Sequence, residues 1–130
     1  MNNNSDQLTR NVTPGLAGEM ATIVSEKNRA PHVPVFSTPS LVALFEGASA
    51  RALEGYLPPG FTSVGFEVNI RHLGPAPIGA TVKATSAVSR LDGKKVYFVV
   101  EAWCGSKKIG DGTHSRALVP ERFGNDKRQL

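Results

Sequence analysis

The sequence predicts an α+β domain in which one long helix packs against an antiparallel sheet of about five strands. Only one segment, residues 38–54, repeats apolar residues at the spacing of a helix that buries one face. Four later segments have strand patterns, and turn-forming dipeptides connect the last three at hairpin distance. One helix followed by a run of antiparallel strands is an α+β arrangement, and 130 residues provide one hydrophobic core.

The first predicted element is a weakly patterned strand over residues 15–28, and the helix follows it. Ser37 or Thr38 is a suitable N-cap, and the next residue is a proline that fits the first helical position, where its missing N–H costs nothing. The helix should run to about Glu54 and stop at Gly55. Its predicted buried stripe consists of Leu41, Leu44, Phe45, Ala48 and Ala52.

Four further strands complete the predicted sheet. They cover residues 63–73, 80–91, 95–104 and 107–119, with tight turns at Asp92-Gly93 and Gly105-Ser106. The first of the four alternates clearly, and we expect its apolar residues to share one buried face, which His72 continues. These apolar residues are Val64, Phe66, Val68 and Ile70.

Composition and charge argue against several classes of function. The net charge is +4, but the basic residues are scattered and not interleaved with aromatics, so we expect no nucleic-acid binding. No apolar run approaches the roughly 20 residues that cross a membrane, and the polar N-terminus lacks a signal-peptide core. The single cysteine, Cys104, is typical of a reducing compartment. We therefore expect a cytoplasmic protein with one domain at residues 14–122 and flexible tails at 1–13 and 123–130.

Three polar residues in otherwise apolar surroundings could carry chemistry. On a helical projection Glu46 falls beside the apolar stripe and not with the exposed charges of Arg51 and Glu54, and Thr38 projects from the same flank. His72 lies at the end of the strand that we expect to pack on this helix. A hydroxyl, a carboxylate and an imidazole could together supply a nucleophile or base and a proton carrier. The structural alternatives are a Glu46 that reaches water or an arginine, and a His72 that is a hydrogen-bonded core residue.

The other reactive residue types give weaker signals. The three histidines have neither the spacing nor the cysteine partners of a zinc site, so we expect no metal. Cys104 falls within a strand pattern and is more typical of packing than of nucleophilic catalysis. His114 and Arg116 alternate outward from Thr113 and Ala117, and we expect them to be surface or interface residues.

With these residues identified, the chain resembles the hot-dog-fold thioesterases, and in particular the fluoroacetyl-CoA thioesterase family. The similarity runs from about Val35 to Val119 and rests on VFSTPSLVALFEGASARALEGYLPPG, SVGFEVNIRHLGPAPIGATV and IGDGTHSRALV. The resemblance implies a long central helix wrapped by an antiparallel sheet, and hydrolysis of a short or small acyl-CoA thioester. It also implies a homodimer or a dimer of dimers with active sites at the interface. We expect no metal or redox cofactor.

The resemblance further implies residue roles. Thr38, Glu46 and His72 fall on the family's catalytic threonine, glutamate and histidine. Glu46 would attack the carbonyl or activate water, and His72 would carry protons. Thr38 would donate a hydrogen bond to Glu46 or to the intermediate. The residues expected to contact the substrate are Gly65, Phe36 and Arg116, of which Gly65 matches the glycine that lines the family's thioester site.

Two points about specificity and function stay open at this stage. The loop RAPHVPVF has Arg29 and His32 where the fluoroacetyl-specific enzyme places lid phenylalanines, so we expect little preference for a fluorinated acyl group. A hot-dog module that binds or senses acyl-CoA without hydrolysing it is the alternative function. A hot-dog enoyl-CoA hydratase is disfavoured, because its D-x-N-P-x-H pattern does not occur.

Overall fold

A computed structural model of the chain describes residues 7–125. The elements are β1 (Ala17–Ile23), α1 (Thr38–Leu53), β2 (Phe61–His72), β3 (Thr81–Asp92), β4 (Lys95–Cys104) and β5 (Lys107–Pro120). The strands form one sheet in the order β1-β3-β4-β5-β2, and every neighbouring pair is antiparallel. Within residues 7–125, the predicted long helix packed against five antiparallel strands is confirmed.

Helix α1 begins and ends where its capping residues predict. The N-cap is Ser37, whose side chain accepts a hydrogen bond from the Ser40 backbone N–H at 3.2 Å. At the other end Gly55 adopts a φ of 82°, a left-handed conformation that glycine reaches at little cost. All five residues of the predicted apolar stripe are buried. The side chains of Arg51 and Glu54 are exposed, as predicted.

The helix lies between the two edge strands of the sheet. On one side Gly47 faces the thioether of Met20, and Arg51 donates to the Glu19 carbonyl of β1 at 3.2 Å. On the other side Thr38 and Glu46 face β2. We refer to these two sides of the helix as its β1 flank and its β2 flank. The polar pattern that set Thr38 and Glu46 apart in the sequence therefore marks the β2 flank.

Glycines allow α1 to approach the sheet closely. A Cβ at Gly18 of β1 would overlap the backbone of Ala52, so no larger residue fits there without moving the helix. A Cβ at Gly110 of β5 would approach the Leu41 side chain to 2.8 Å. The height of the helix above the sheet is thus set by residues without side chains.

Strand β2 departs from the regular alternation that its sequence suggests. The prediction that its apolar residues form one buried stripe is wrong, because Val64 is 41% exposed, Phe66 56% and Val68 40%. The strand is an edge of the sheet, and its pairing with β5 shifts register between Gly65 and Glu67, which leaves Phe66 as the extra residue of a β-bulge.

The bulge changes which residues of β2 share a face. Gly65 and His72 are seven positions apart, and an odd separation puts two residues of a regular strand on opposite faces. Both nevertheless face α1, since Gly65 lies against Glu46 and His72 against Thr38. One inserted residue therefore brings two predicted site residues to the same face.

The core extends further toward the N-terminus than the sequence suggests. Leu8 and Val12 are buried with the main hydrophobic cluster, although they fall in the range predicted as a flexible tail. Of the two predicted tails, residues 1–6 and 126–130 lie outside the described residues. Among residues 7–125, no helix has the length and apolar character needed to span a membrane.

Candidate active site

The first part of the site is a hydrogen-bonded pair, Thr38 and His72. Thr38 is the first residue of α1, and its Oγ1 lies 2.8 Å from Nδ1 of His72 at the end of β2. The other ring nitrogen, Nε2, is buried and has no hydrogen-bond partner in the described part of the chain. Burial lowers the pKa of His72, and the backbone of Gly74 offsets this only in part. The pair therefore consists of a hydroxyl and an imidazole that favours its neutral form.

The second part of the site surrounds Glu46. Its carboxylate oxygen Oε2 lies 3.8 Å from Nη1 of Arg116, and the side chain is 41% exposed. A Cβ at position 65 would overlap this oxygen, so the absence of a side chain at Gly65 makes room for the carboxylate. Glu46 is thus partly open to solvent and is paired with an arginine, which is one of the alternatives left open by the sequence.

Within one chain these two parts are separate. Thr38 and Glu46 are eight positions apart on α1, which corresponds to about 12 Å along the helix axis. His72 lies against Thr38 and Gly65 lies against Glu46, and these two residues are about 20 Å apart along β2. The predicted hydrogen bond between Thr38 and Glu46 is absent from the described residues, where the Thr38 hydroxyl contacts His72 instead.

Two residues of β5 that the sequence placed at the surface are part of the core. His114 is 2% exposed and Arg116 is 8% exposed, so the prediction of surface positions is wrong. They pair with Phe98 and Val96 of β4, both of which are buried, and directly paired residues of antiparallel strands share a face. The sequence could have indicated this burial. His114 and Arg116 are separated from Leu118, a typical core residue, by even numbers of positions, so all three should share one face of β5.

The guanidinium of Arg116 is held from several directions. Its Nε donates to Oγ of Ser63 at 2.8 Å, and its Nη2 donates to the Ser63 carbonyl at 3.1 Å. Its Nη1 donates to Nε2 of His114 at 3.2 Å and is also the atom nearest Glu46. Burial lowers the pKa of Arg116, and the Glu46 carboxylate opposes this change. Arg116 is therefore a fixed positive charge beside the carboxylate.

The remaining predicted residues lie elsewhere. Phe36 is buried on the β1 flank of α1, where it lines a groove with Met20 and Thr22. In the preceding loop Arg29 donates to the Ala30 carbonyl at 3.1 Å, and His32 is exposed. The loop is anchored by backbone pairing between Arg29 and Phe36.

Comparison with known proteins identifies the family. The model of the family described as fluoroacetyl-CoA-specific thioesterase matches residues 18–122. The fluoroacetyl-CoA thioesterase of Streptantibioticus cattleyicolor is 38% identical over 96 residues, which make up 73% of this chain and 69% of that protein. The chain belongs to the fluoroacetyl-CoA-specific thioesterase family.

Solved structures show that the fold is also shared. A threonine-to-serine variant of the fluoroacetyl-CoA thioesterase in complex with acetyl-CoA matches with a TM-score of 0.84 and 28% identity, over 91% of this chain and 97% of that chain. A hot-dog-like protein from Thermanaerovibrio acidaminovorans matches with a TM-score of 0.83 and 24% identity, over 92% of each chain. The fluoroacetyl-CoA-specific thioesterase family and the hot-dog fold, both predicted from the sequence, are thus confirmed.

Proposed function

We propose that this protein hydrolyses a small acyl-CoA thioester to the free acid and coenzyme A at a site built from Thr38, Glu46 and His72. As a member of the fluoroacetyl-CoA-specific thioesterase family it is an acyl-CoA thioesterase. The observation that carries the site assignment is the 2.8 Å contact between Thr38 and His72 at the N-terminus of α1. It joins a proton carrier to the end of the helix that is suited to a developing negative charge.

The start of α1 supports a role in binding the thioester oxygen. Pro39 has no N–H, and the N–H groups of Ser40 and Leu41 already bond to Ser37. The Thr38 N–H has no backbone partner in the described chain, and it stands at the positive end of the helix dipole. We therefore assign this N–H, with the Thr38 hydroxyl, to polarisation of the thioester carbonyl.

The roles of His72 and Glu46 follow from their protonation chemistry. Attack on the carbonyl carbon forms a C–O bond and, when the C–S bond breaks, releases a thiolate that must receive a proton. His72, kept neutral by burial, can accept the proton of the attacking water and return it to sulfur. Glu46 acts in one of two ways. As a base it assists His72 in deprotonating that water. As a nucleophile it attacks the carbonyl to form a mixed anhydride with loss of the thiolate, and the water that then cleaves the anhydride gives up its proton through His72 to the sulfur. Gly65 and Arg116 adjoin Glu46 and would contact the acyl group.

A second copy of the chain would unite the two parts of the site. Strand β2 is an edge strand whose apolar residues are largely exposed, and such an edge favours pairing with another strand. In an antiparallel pair of β2 strands centred near Val68, the His72 end of one protomer would lie beside the Gly65 region of the other. Glu46 of the partner subunit would then face the Thr38–His72 pair, which gives a homodimer with two sites. Two such dimers could associate into a dimer of dimers.

The acyl group and the cellular location complete the proposal. The family relatives are described as acting on fluoroacetyl-CoA, but here Arg29 and His32 occupy the loop in which we expected lid phenylalanines. We propose a small acyl group with little preference for fluorine. We also propose a cytoplasmic location, which suits a chain whose single cysteine cannot form an intramolecular disulfide.

Thiol release by the purified protein from short, branched, aromatic and long acyl-CoA thioesters tests this function. We expect turnover of the small thioesters, and Glu46→Gln should abolish most of it while acyl-CoA still binds, because the amide keeps the size but loses charge and basicity. A loss of about 10²–10⁴-fold is usual for a positioned acid or base. Glu54→Gln, at the exposed end of the same helix, is the matched control and should retain the wild-type rate. Binding without turnover by the wild-type protein would instead support a non-catalytic acyl-CoA-binding module.

A further inference from the structure

A buried histidine that none of the proposed chemical steps uses lies next to the site. His114 stacks on Phe98 with 6.1 Å between ring centroids, and its Cε1 atom lies 3.6 Å from where a Cβ of Gly65 would be. Its two ring nitrogens contact different strands, since Nδ1 meets the Glu67 carbonyl of β2 at 2.7 Å and Nε2 meets Arg116 of β5. The ring therefore connects the bulged strand to the arginine beside Glu46.

The two partners of His114 define its protonation state. A carbonyl oxygen only accepts, so Nδ1 carries a proton and donates it to Glu67. A guanidinium only donates, so Nε2 is unprotonated and accepts from Nη1 of Arg116. The charged groups that face the ring are Arg116 on its own strand and Glu46 from α1, while β4 presents the uncharged Phe98. Burial lowers the pKa of His114, which agrees with a neutral ring.

This ring holds in place two features on which Glu46 depends. The bulge at Phe66 interrupts the ladder between β2 and β5, and the His114 ring hydrogen-bonds the carbonyl of the residue that follows the bulge. The bond from Nη1 of Arg116 to the ring fixes the same atom that lies 3.8 Å from the Glu46 carboxylate. His114 is 2% exposed and would not touch substrate itself.

We propose that His114 is a positioning residue for thioester hydrolysis: its neutral ring aims the Arg116 guanidinium at Glu46 and fixes the bulge that sets Gly65 against that carboxylate. This inference rests on the proposed function. If Nε2 were protonated, its N–H would face the N–H of Arg116, and the hydrogen bond between them would be lost. The ring can therefore position Arg116 only while it is neutral.

The test compares two substitutions that differ in hydrogen bonding. His114→Phe keeps a ring to stack on Phe98 but leaves Arg116 and the Glu67 carbonyl without their partner. His114→Gln supplies one donor and one acceptor and cannot become charged. Val82→Ala is the control for lost stability, because Val82 is fully buried on β3, which β4 separates from β5. Each variant is assayed for kcat and KM on the best substrate of the wild-type enzyme, and thermal melting reports its folding.

We expect His114→Phe to lower kcat by about 10–100-fold with KM changed less than about threefold, since misplaced reacting groups mainly affect the transition state. His114→Gln should retain most of kcat. Val82→Ala should also retain kcat, although its loss of stability should be comparable to that of His114→Phe. Nitrogen-15 NMR of wild-type His114 should show the Nδ1–H neutral tautomer. Wild-type kcat in His114→Phe, equal losses in the Phe and Gln variants, or an Nε2–H tautomer would overturn the proposal. A wild-type protein that hydrolyses no thioester would overturn the proposed function and this inference together.

Discussion

At the residue scale, His72 is half-buried and His114 is buried, and the pKa values of both histidines are lowered. Desolvation is the leading cause for each, because burial disfavours the charged imidazolium. The unfolded chain, with histidines near their ordinary value of about 6.5, therefore binds protons that the folded chain does not. The free energy of unfolding therefore rises with pH between the lowered folded pKa and the unfolded pKa of about 6.5. The same contribution is lost as the pH falls from about 6.5 toward the folded pKa.

Thermal denaturation at about pH 7.5 and about pH 5.5 measures this effect. The melting temperature of the wild-type protein should fall at the lower pH. His72→Gln and His114→Gln should each reduce the size of that fall, since glutamine does not titrate. If both variants show the full wild-type difference, burial of these rings contributes nothing to the pH dependence.

Individual site residues could be predicted from the sequence to different extents. Thr38 and Glu46 could be found because helical geometry is regular enough to assign each residue to a flank. The roles of His114 and Arg116 could not be predicted, because we expected Thr113 and Ala117 to be the inward-facing residues of β5. Charged residues are also usually exposed. Their burial could have been inferred from Leu118, but their hydrogen bonds to Ser63 and Glu67 cross to a strand far away in the sequence, and no local pattern encodes them.

At the scale of single elements, the bulged strand β2 and the helix above it provide a second prediction. Gly65→Ala should place a methyl group against the Glu46 carboxylate and displace it, which lowers kcat/KM while the fold survives, because the carboxylate ends a flexible side chain. Gly47→Ala is the matched control on the β1 flank, where the new methyl meets the flexible Met20 thioether. Assays with one acyl-CoA and thermal melts of both variants provide the comparison. Equal activity in the two variants would show that Gly65 has no special role.

The loop before α1 provides a third prediction, which concerns specificity. Replacing both Arg29 and His32 by phenylalanine should change the preference between acetyl-CoA and fluoroacetyl-CoA more than it changes the melting temperature, because the loop retains its backbone anchor at Phe36. The ratio of kcat/KM values for the two substrates is the measurement. A strong preference for the fluorinated substrate in the wild-type protein would show that the lid lies elsewhere.

Element boundaries were predictable where local chemistry decides them. The cap at Ser37 and the turns at Asp92-Gly93 and Gly105-Ser106 set the ends of α1, β3, β4 and β5 nearly as observed. The first strand, Ala17–Ile23, is shorter than the predicted range 15–28, whose pattern was weak. The bulge at Phe66 could not be predicted, because it depends on the register between β2 and β5, which are far apart in sequence.

At the scale of the whole molecule, the separation of the two parts of the site predicts complementation between inactive variants. If each site takes Thr38 and His72 from one chain and Glu46 from the other, subunit exchange between Glu46→Gln and His72→Ala gives mixed dimers with one intact site. The mixture should recover about a quarter of wild-type activity. A mixture of Thr38→Ala with His72→Ala is the control and should recover none, since both changes damage the same half.

Activity measured before and after subunit exchange, together with sedimentation of the wild-type protein, completes this experiment. We expect a dimer or larger assembly at micromolar concentration. A stable monomer that is fully active would contradict the shared site, and so would a failure of the first mixture to recover activity despite proven exchange.

The strand order also bears on how the chain is made. The sheet neighbours of β1 and β2 are β3 and β5, and both come later in the sequence than either edge strand. During translation, β2 therefore leaves the ribosome with neither edge paired. It stays unpaired until β5, which ends at Pro120, has also been synthesised. Its apolar residues are open to other nascent chains throughout that interval, and unpaired strands of this kind are prone to aggregate. Synthesis at low temperature or with chaperones should therefore raise the yield of folded protein most in variants that slow the closing of β5 onto β2.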